Sequence, residues 1–150
     1  MSNFTVGCVL FPNLTQLDFT GPLQVLSRIP EATVEIAASS LSPVPTDCAL
    51  SLVPTCTFDS ANAWDLLCVP GGHGVADAML DEALVSFIAR QGKTARYVTS
   101  VCTGAFLLGV AGLLQGKRAT THWGYTQLLP RVGAKSVSYT HLRAHETNVD

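Results

Sequence analysis

Residues 97–116, YVTSVCTGAFLLGVAGLLQG, set one cysteine between a β-branched run and a long run of small and apolar residues. Val101 closes what reads as a strand and Thr103-Gly104 opens what reads as a helix, so Cys102 falls on a strand-to-helix corner. Such a corner lifts a side chain out of a tight turn, as the G-x-S-x-G elbow does for a nucleophilic serine. The helix N-terminus behind it favours negative charge on sulfur. The alternative is a small buried hydrophobe, a common use of free cysteine. Cys8 and Cys68 lie within apolar β-rich runs, and Cys48 and Cys56 in a proline-containing excursion, so these four read as packing.

Three other segments carry groups that suit such a nucleophile. Asp18, in LDFTGP, reads either as an acid at a helix N-terminus or as an acid beside the thiol. In the second position, burial and like charge would keep it protonated and able to give a proton. PGGHG, after a strand, is either a plain glycine turn or a source of backbone N–H groups at Gly71 and Gly72, as an oxyanion hole requires. It matches neither glycine-rich nucleotide pattern. His73 reads as a polar loop residue. His122, in RATTHWGY, is the better partner for a cysteine, because that pairing needs only proximity in space. Trp123 beside it reads as packing or as a cavity wall.

The elements that must position these groups alternate in type. FTVGCVLF (4–11), ATVEIAA (32–38), WDLLCVP (64–70) and RYVTSV (96–101) read as strands, the apolar ones buried on both faces of a parallel sheet. Between the first two, Pro22 suits a first helical turn with Thr20 as its cap, and Pro30 stops the helix. Residues 39–58 read as an excursion or edge strand. DEALVSFIARQGKT (81–94) has Leu84, Phe87 and Ile88 at helical spacing, acids at its start and a basic end. Strands alternating with helices predict an α/β fold built on a doubly wound parallel sheet. In such sheets ligands sit beyond the C-terminal strand ends, where the Asp18 segment, the Gly71–Gly74 loop and the Cys102 corner all fall.

Composition narrows the function. The chain has 150 residues, 47% apolar and 13% charged, which predicts one globular domain with a sizeable core. Net charge is −2 and no basic cluster exceeds two residues, so a nucleic-acid partner is not expected. No apolar run approaches the roughly 18–20 residues of a membrane span. The start, MSNFTVGCVLFPN, reads as a strand and not a signal peptide. Five cysteines without C-x-x-C spacing argue against a disulfide scaffold or zinc site and predict a cytoplasmic protein.

LDFTGP, VPGGHG and YVTSVCTGAFLLGVAGLLQGKRATTHW, in this order and spacing, resemble the ThiJ/PfpI superfamily over about residues 4–135, and within it the branch that hydrates isonitriles. The resemblance implies a flavodoxin-like, class I glutamine amidotransferase-like fold and a homodimer acting on a small molecule without cofactor or metal. It also implies Cys102 as nucleophile, with Asp18 beside it and Thr103 contacting the reacting group. Gly71, Gly72 and the Thr103 N–H would form the oxyanion side, and His122 would support the cysteine. The implied reaction converts an isonitrile, R–N≡C, to an N-substituted formamide. Sulfur adds to the terminal carbon to give a thioimidate, with Asp18 supplying a proton and then activating water. Two other functions stay open. The SVCTGAFLL and ATTHW stretches are similar to the sensing half of AraC-type transcription regulators. Deglycases, glyoxalases and peptidases also belong to the superfamily, but a Glu is usual near their cysteine.

After Lys135, SVSYTHLRAHETNVD loses all periodicity and resembles translated sequencing-adaptor read-through; a genuine polar tail is the alternative. The expected organisation is a domain over 1–135, truncated at its C-terminal end, then a non-native or disordered tail over 136–150. His141 and His145, spaced as H-x-x-x-H, would then hold no zinc. The helix predicted over 103–114 is apolar on every side. A polar tail cannot cover Leu107, Leu108 and Leu113, so poor burial there, with a molten and inactive chain, is expected.

Overall fold

A computed structural model describes residues 4–137. Five strands form one parallel sheet: β1 (Phe4–Val9), β2 (Ala32–Ala38), β5 (Cys56–Thr57), β6 (Leu66–Val69) and β7 (Tyr97–Ser100), in the order β5-β2-β1-β6-β7. Every pairing is parallel; Val9 lies opposite Ala37, Cys8 opposite Cys68, and Val69 opposite Ser100. The α/β class expected from the alternation is the one observed. β1 is central because its apolar run, FTVGCV, is buried from Val6 to Val9. From β1 the chain moves to one side through β2 and β5, then crosses to β6 and β7 on the other. The crevice between the C-terminal ends of β1 and β6 is the switch point of the sheet.

The excursion forms a small hairpin, β3 (Val44–Pro45) with β4 (Ser51–Leu52), before β5. It also anchors the first helix. α1 spans Gln16–Leu26, with Thr15 as its extended N-cap, so it starts well before the Thr20–Pro22 entry expected from sequence. Pro22 sits inside it and leaves the Asp18 carbonyl without its helical donor. Tertiary contacts explain the earlier start. Thr15 N–H donates to the Gly71 carbonyl at 2.9 Å, and Gln16 N–H donates to Asp47 Oδ1 at 3.0 Å. Both satisfy donors that a helix start otherwise leaves orphaned. Thr20 is no cap; its hydroxyl turns back to the Gln16 carbonyl at 3.2 Å. Asp18 therefore stands in the first turn of α1.

α2 (Val75–Ala78) follows the glycine loop, and α3 (Glu82–Thr94) begins at Asp81, whose side chain accepts from Ala83 and Leu84 N–H. α3 buries Leu84, Phe87, Ile88 and Gln91. Gln91 bridges two backbone groups, accepting from Trp64 N–H at 3.1 Å and donating to the Asn62 carbonyl at 2.7 Å.

α4 (Gly104–Val110) is shorter than the 103–114 expected. Gly112, at φ +78°, takes the left-handed position that ends it. Its N–H bonds Gly109 and that of Leu113 bonds Leu108. The poor burial predicted for this helix does not occur in the structure. Leu107 is 0% and Leu108 3% exposed, and Leu113 packs against the core. α4 meets β6, β7, α2, α3 and a 3₁₀ helix over Trp123–Val132, so elements before residue 135 supply the cover. β8 (Arg118–Ala119) and β9 (Lys135–Ser136) pair in parallel, and Val137 N–H bonds the Ala119 carbonyl. Strand pairing among the described residues includes Ser136. The rest of the expected tail, with His141 and His145, lies outside the described residues. Among the described residues no helix is long and apolar enough to cross a membrane.

Candidate functional site

Cys102 follows β7 by one residue past Val101, whose N–H still bonds the Val69 carbonyl of β6. At Cys102 the backbone turns sharply, with φ +53°, a left-handed conformation rare for a side-chain-bearing residue. Gly104 N–H closes the turn onto the Val101 carbonyl at 2.9 Å. Thr121 Oγ1 pins the Cys102 carbonyl at 2.9 Å. Strain of this kind persists only where surrounding contacts enforce it, and it clusters at functional positions.

Asp18 comes to this corner from α1. Its side chain accepts the Gly71 N–H at 3.2 Å and lies close enough to the Cys102 thiol for the two to interact electrostatically. Burial pushes the Asp18 carboxyl above the ordinary carboxylate range, and the nearby charge of Asp47 adds to this. The hydrogen bond from Gly71 and the Cys102 thiol, with the charge of His122, oppose the rise without cancelling it. A raised carboxyl against a thiol can hold a proton and deliver it where sulfur reacts.

The glycine loop is part of the same constellation, with its N–H groups directed inward. Gly71 N–H goes to Asp18, and Gly72 N–H goes to Thr103 Oγ1 at 3.0 Å. The two groups expected to face a reacting oxygen therefore hold the acid and the threonine in place. Gly71 must approach closely to do so, since a Cβ there would lie 2.6 Å from Thr103 N and 2.9 Å from Cys102 Cβ.

A cavity of about 680 Å³ opens on this cluster, bordered by Cys102, Thr103, Gly72 and His122. Val75, Met79, Phe106 and Leu128 make its apolar walls. His122 starts the 3₁₀ helix, its Nδ1 accepting the Gly124 N–H at 3.2 Å. Trp123 is 82% exposed and makes no wall; Tyr125 takes that place. His73 lies on the exposed rim.

Cys8 and Cys68 are 1% and 3% exposed, side by side in β1 and β6. Their mutual hydrogen bond and burial push the Cys8 thiol far above the ordinary range. Cys48 is exposed and Cys56 partly so, both in the excursion. Among the described residues, no three His, Cys, Asp or Glu side chains converge to hold a metal ion.

The structure thus brings Asp18, Gly71, Gly72, Cys102, Thr103 and His122 together. Sequence reasoning missed Asp47, which caps α1 and acts electrostatically on Asp18, and Thr121, which pins the corner. Asp47 follows a proline-containing turn, but nothing local joins it to residue 16.

Known proteins resemble this chain in sequence and fold. The chain is 53% identical over 129 residues to the isonitrile hydratase of Pseudomonas putida, covering 86% of this chain and 57% of that protein. An uncharacterised protein encoded in the cpoL 5′ region of Streptomyces lividans is 38% identical, over 84% of this chain and 92% of the relative. A crystal structure of a ThiJ/PfpI family protein from Pseudomonas syringae superposes with a TM-score of 0.91 at 35% identity, covering 97% of this chain and 61% of that one. The chain thus spans about three-fifths of the length of the hydratase and of the solved structure. The DJ-1/PfpI family model matches residues 5–145, and the chain belongs to the DJ-1/PfpI family.

Proposed function

We propose that this protein hydrates isonitriles to N-substituted formamides through a thioimidate on Cys102. The observation that carries the reading is a protonation-prone Asp18, held by the Gly71 N–H, facing Cys102 on a strained corner. The 53% identity to a hydratase supports the substrate class. Sulfur adds to the terminal carbon of R–N≡C, and one proton, managed by Asp18, ends on that carbon to give R–N=CH–S–Cys102. Water then adds across the C=N bond, its oxygen to carbon and its proton to nitrogen. The C–S bond breaks with its electron pair on sulfur, the hydroxyl proton leaves, and R–NH–CHO is released. Thr103 contributes its N–H to the reacting group, while Gly71 and Gly72 hold Asp18 and Thr103 in position. The apolar walls take the substituent R. The protein acts as a cytoplasmic homodimer without cofactor. The test is turnover of benzyl isonitrile by the intact protein. Cys102→Ala should abolish N-benzylformamide formation, and Asp18→Asn, which keeps shape but removes the titratable proton, should reduce it strongly. Undiminished turnover by Cys102→Ala would defeat the covalent mechanism.

A further inference from the structure

Water addition to the thioimidate places growing electron density on nitrogen, an atom further from sulfur than the carbon it attacks. Asp18, held by the Gly71 N–H, manages the protons of the reaction. A second donor on the cavity wall can stabilise the nitrogen while Asp18 passes it the proton, and His122 borders that cavity. Its Nδ1 accepts the Gly124 N–H, so in the neutral ring the hydrogen resides on Nε2. Nε2 has no hydrogen-bond partner among the described residues. The ring lies beside those of Trp123 and Tyr125, with centroids at 5.3 and 5.7 Å, and it borders the same cavity as Cys102 and Thr103. Thr121, the preceding residue, is tied to the Cys102 carbonyl, which sets the spacing between imidazole and nucleophile.

We propose that His122 is the hydrogen-bond donor to the nitrogen of the covalent adduct, through Nε2–H. The inference rests on the hydration reading above. His122 loses no proton, because Nδ1 is occupied and cannot take a replacement. Oxygen of water bonds to carbon, the π pair of C=N moves to nitrogen, and the proton of water follows it there through Asp18. The Nε2–H bond stabilises nitrogen while that pair arrives. In the free isonitrile the nitrogen has no lone pair, so the contact is gained only after sulfur has added. The bond strengthens as the π pair arrives on nitrogen, so it favours the transition state of water addition over the thioimidate.

Two variants separate the roles of the ring. His122→Asn keeps an acceptor for Gly124 N–H and so preserves the start of the 3₁₀ helix, but its amide does not reach the Nε2 position. His122→Gln places an N–H near that position. With benzyl isonitrile and the intact protein, His122→Asn should slow turnover about 100–1,000-fold. Quenched mass spectrometry should find the isonitrile adduct accumulating on Cys102, and His122→Gln should recover much of the rate and clear the adduct. Turnover by His122→Asn within twofold of wild type, or slow turnover with no accumulated adduct, overturns the assignment. If wild type itself yields no N-benzylformamide and no adduct on Cys102, the hydration reading fails, and this inference with it.

Discussion

Gly71→Ala adds one methyl group at the tightest contact of the site. Its Cβ would lie 2.6 Å from Thr103 N, 2.8 Å from Thr103 Oγ1 and 2.9 Å from Cys102 Cβ. Two of these atoms belong to the backbone or are bonded directly to it, so no rotamer change clears them. Restoring an ordinary contact of 3.4 Å requires the loop and the corner to part by about 0.8 Å. The Gly72 N–H to Thr103 Oγ1 bond, now 3.0 Å, lies across the gap being widened. Overpacking of this kind costs about 1–3 kcal/mol. A misplacement approaching 1 Å between reacting groups costs on the order of 100-fold in rate. The expected result is a kcat/KM for benzyl isonitrile lower by roughly 100-fold, with urea unfolding weakened by about 1–3 kcal/mol. Gly21→Ala is the control. Within α1 its Cβ would meet only Leu17 Cδ1, at 4.0 Å, and removing a helical glycine should add about 0.5–1 kcal/mol without changing activity. A Gly71→Ala protein matching wild type in both rate and stability would refute the close-approach argument.

Two further outcomes follow from the buried polar groups. Burial raises the folded-state pKa of Asp18 above its unfolded value near 3.8, so protonated Asp18 contributes stability below that pH, which is lost as pH rises through the folded value. Relative to Asp18→Asn, wild type should therefore lose stability from about pH 4 toward neutrality; parallel urea midpoints at all pH values would contradict this. Gln91→Leu strands the Trp64 N–H and the Asn62 carbonyl, and should cost about 1–3 kcal/mol in denaturant titration while leaving turnover per folded molecule unchanged. Unaltered stability would show that these groups find other partners.

The elements most legible in the sequence are those whose own residues decide them. β2 occupies the ATVEIAA run end to end, and α3 starts at the acid that caps it. The Cys102 corner was legible for the same reason, as a β-branched run meets Thr-Gly there. The start of α1 was not, because its first donors are satisfied by residues 47 and 71. Gln91 extends the apolar stripe of α3, and only the fold reveals the two backbone groups it bridges. The direction of the Gly71 and Gly72 N–H groups was likewise hidden, since their partners, Asp18 and Thr103, arrive from separate segments. Burial of α4 was misjudged because its cover includes the 3₁₀ helix, a stretch whose sequence announces no regular period.

The bonds that build the site join residues far apart along the chain: 53 positions between Asp18 and Gly71, 31 between Gly72 and Thr103, and 19 between Cys102 and Thr121. No short stretch of chain contains a working fraction of it. During synthesis the acid emerges first and waits for β6 to bring the glycine loop, then for β7 to bring the thiol. Contacts at such separation form late, once the entropy of closing long loops has been overcome. A nascent or misfolded chain therefore carries a cysteine with no acid beside it and no cavity to admit an electrophile. Topology acts as a safety catch, arming the nucleophile only when the sheet has closed around it.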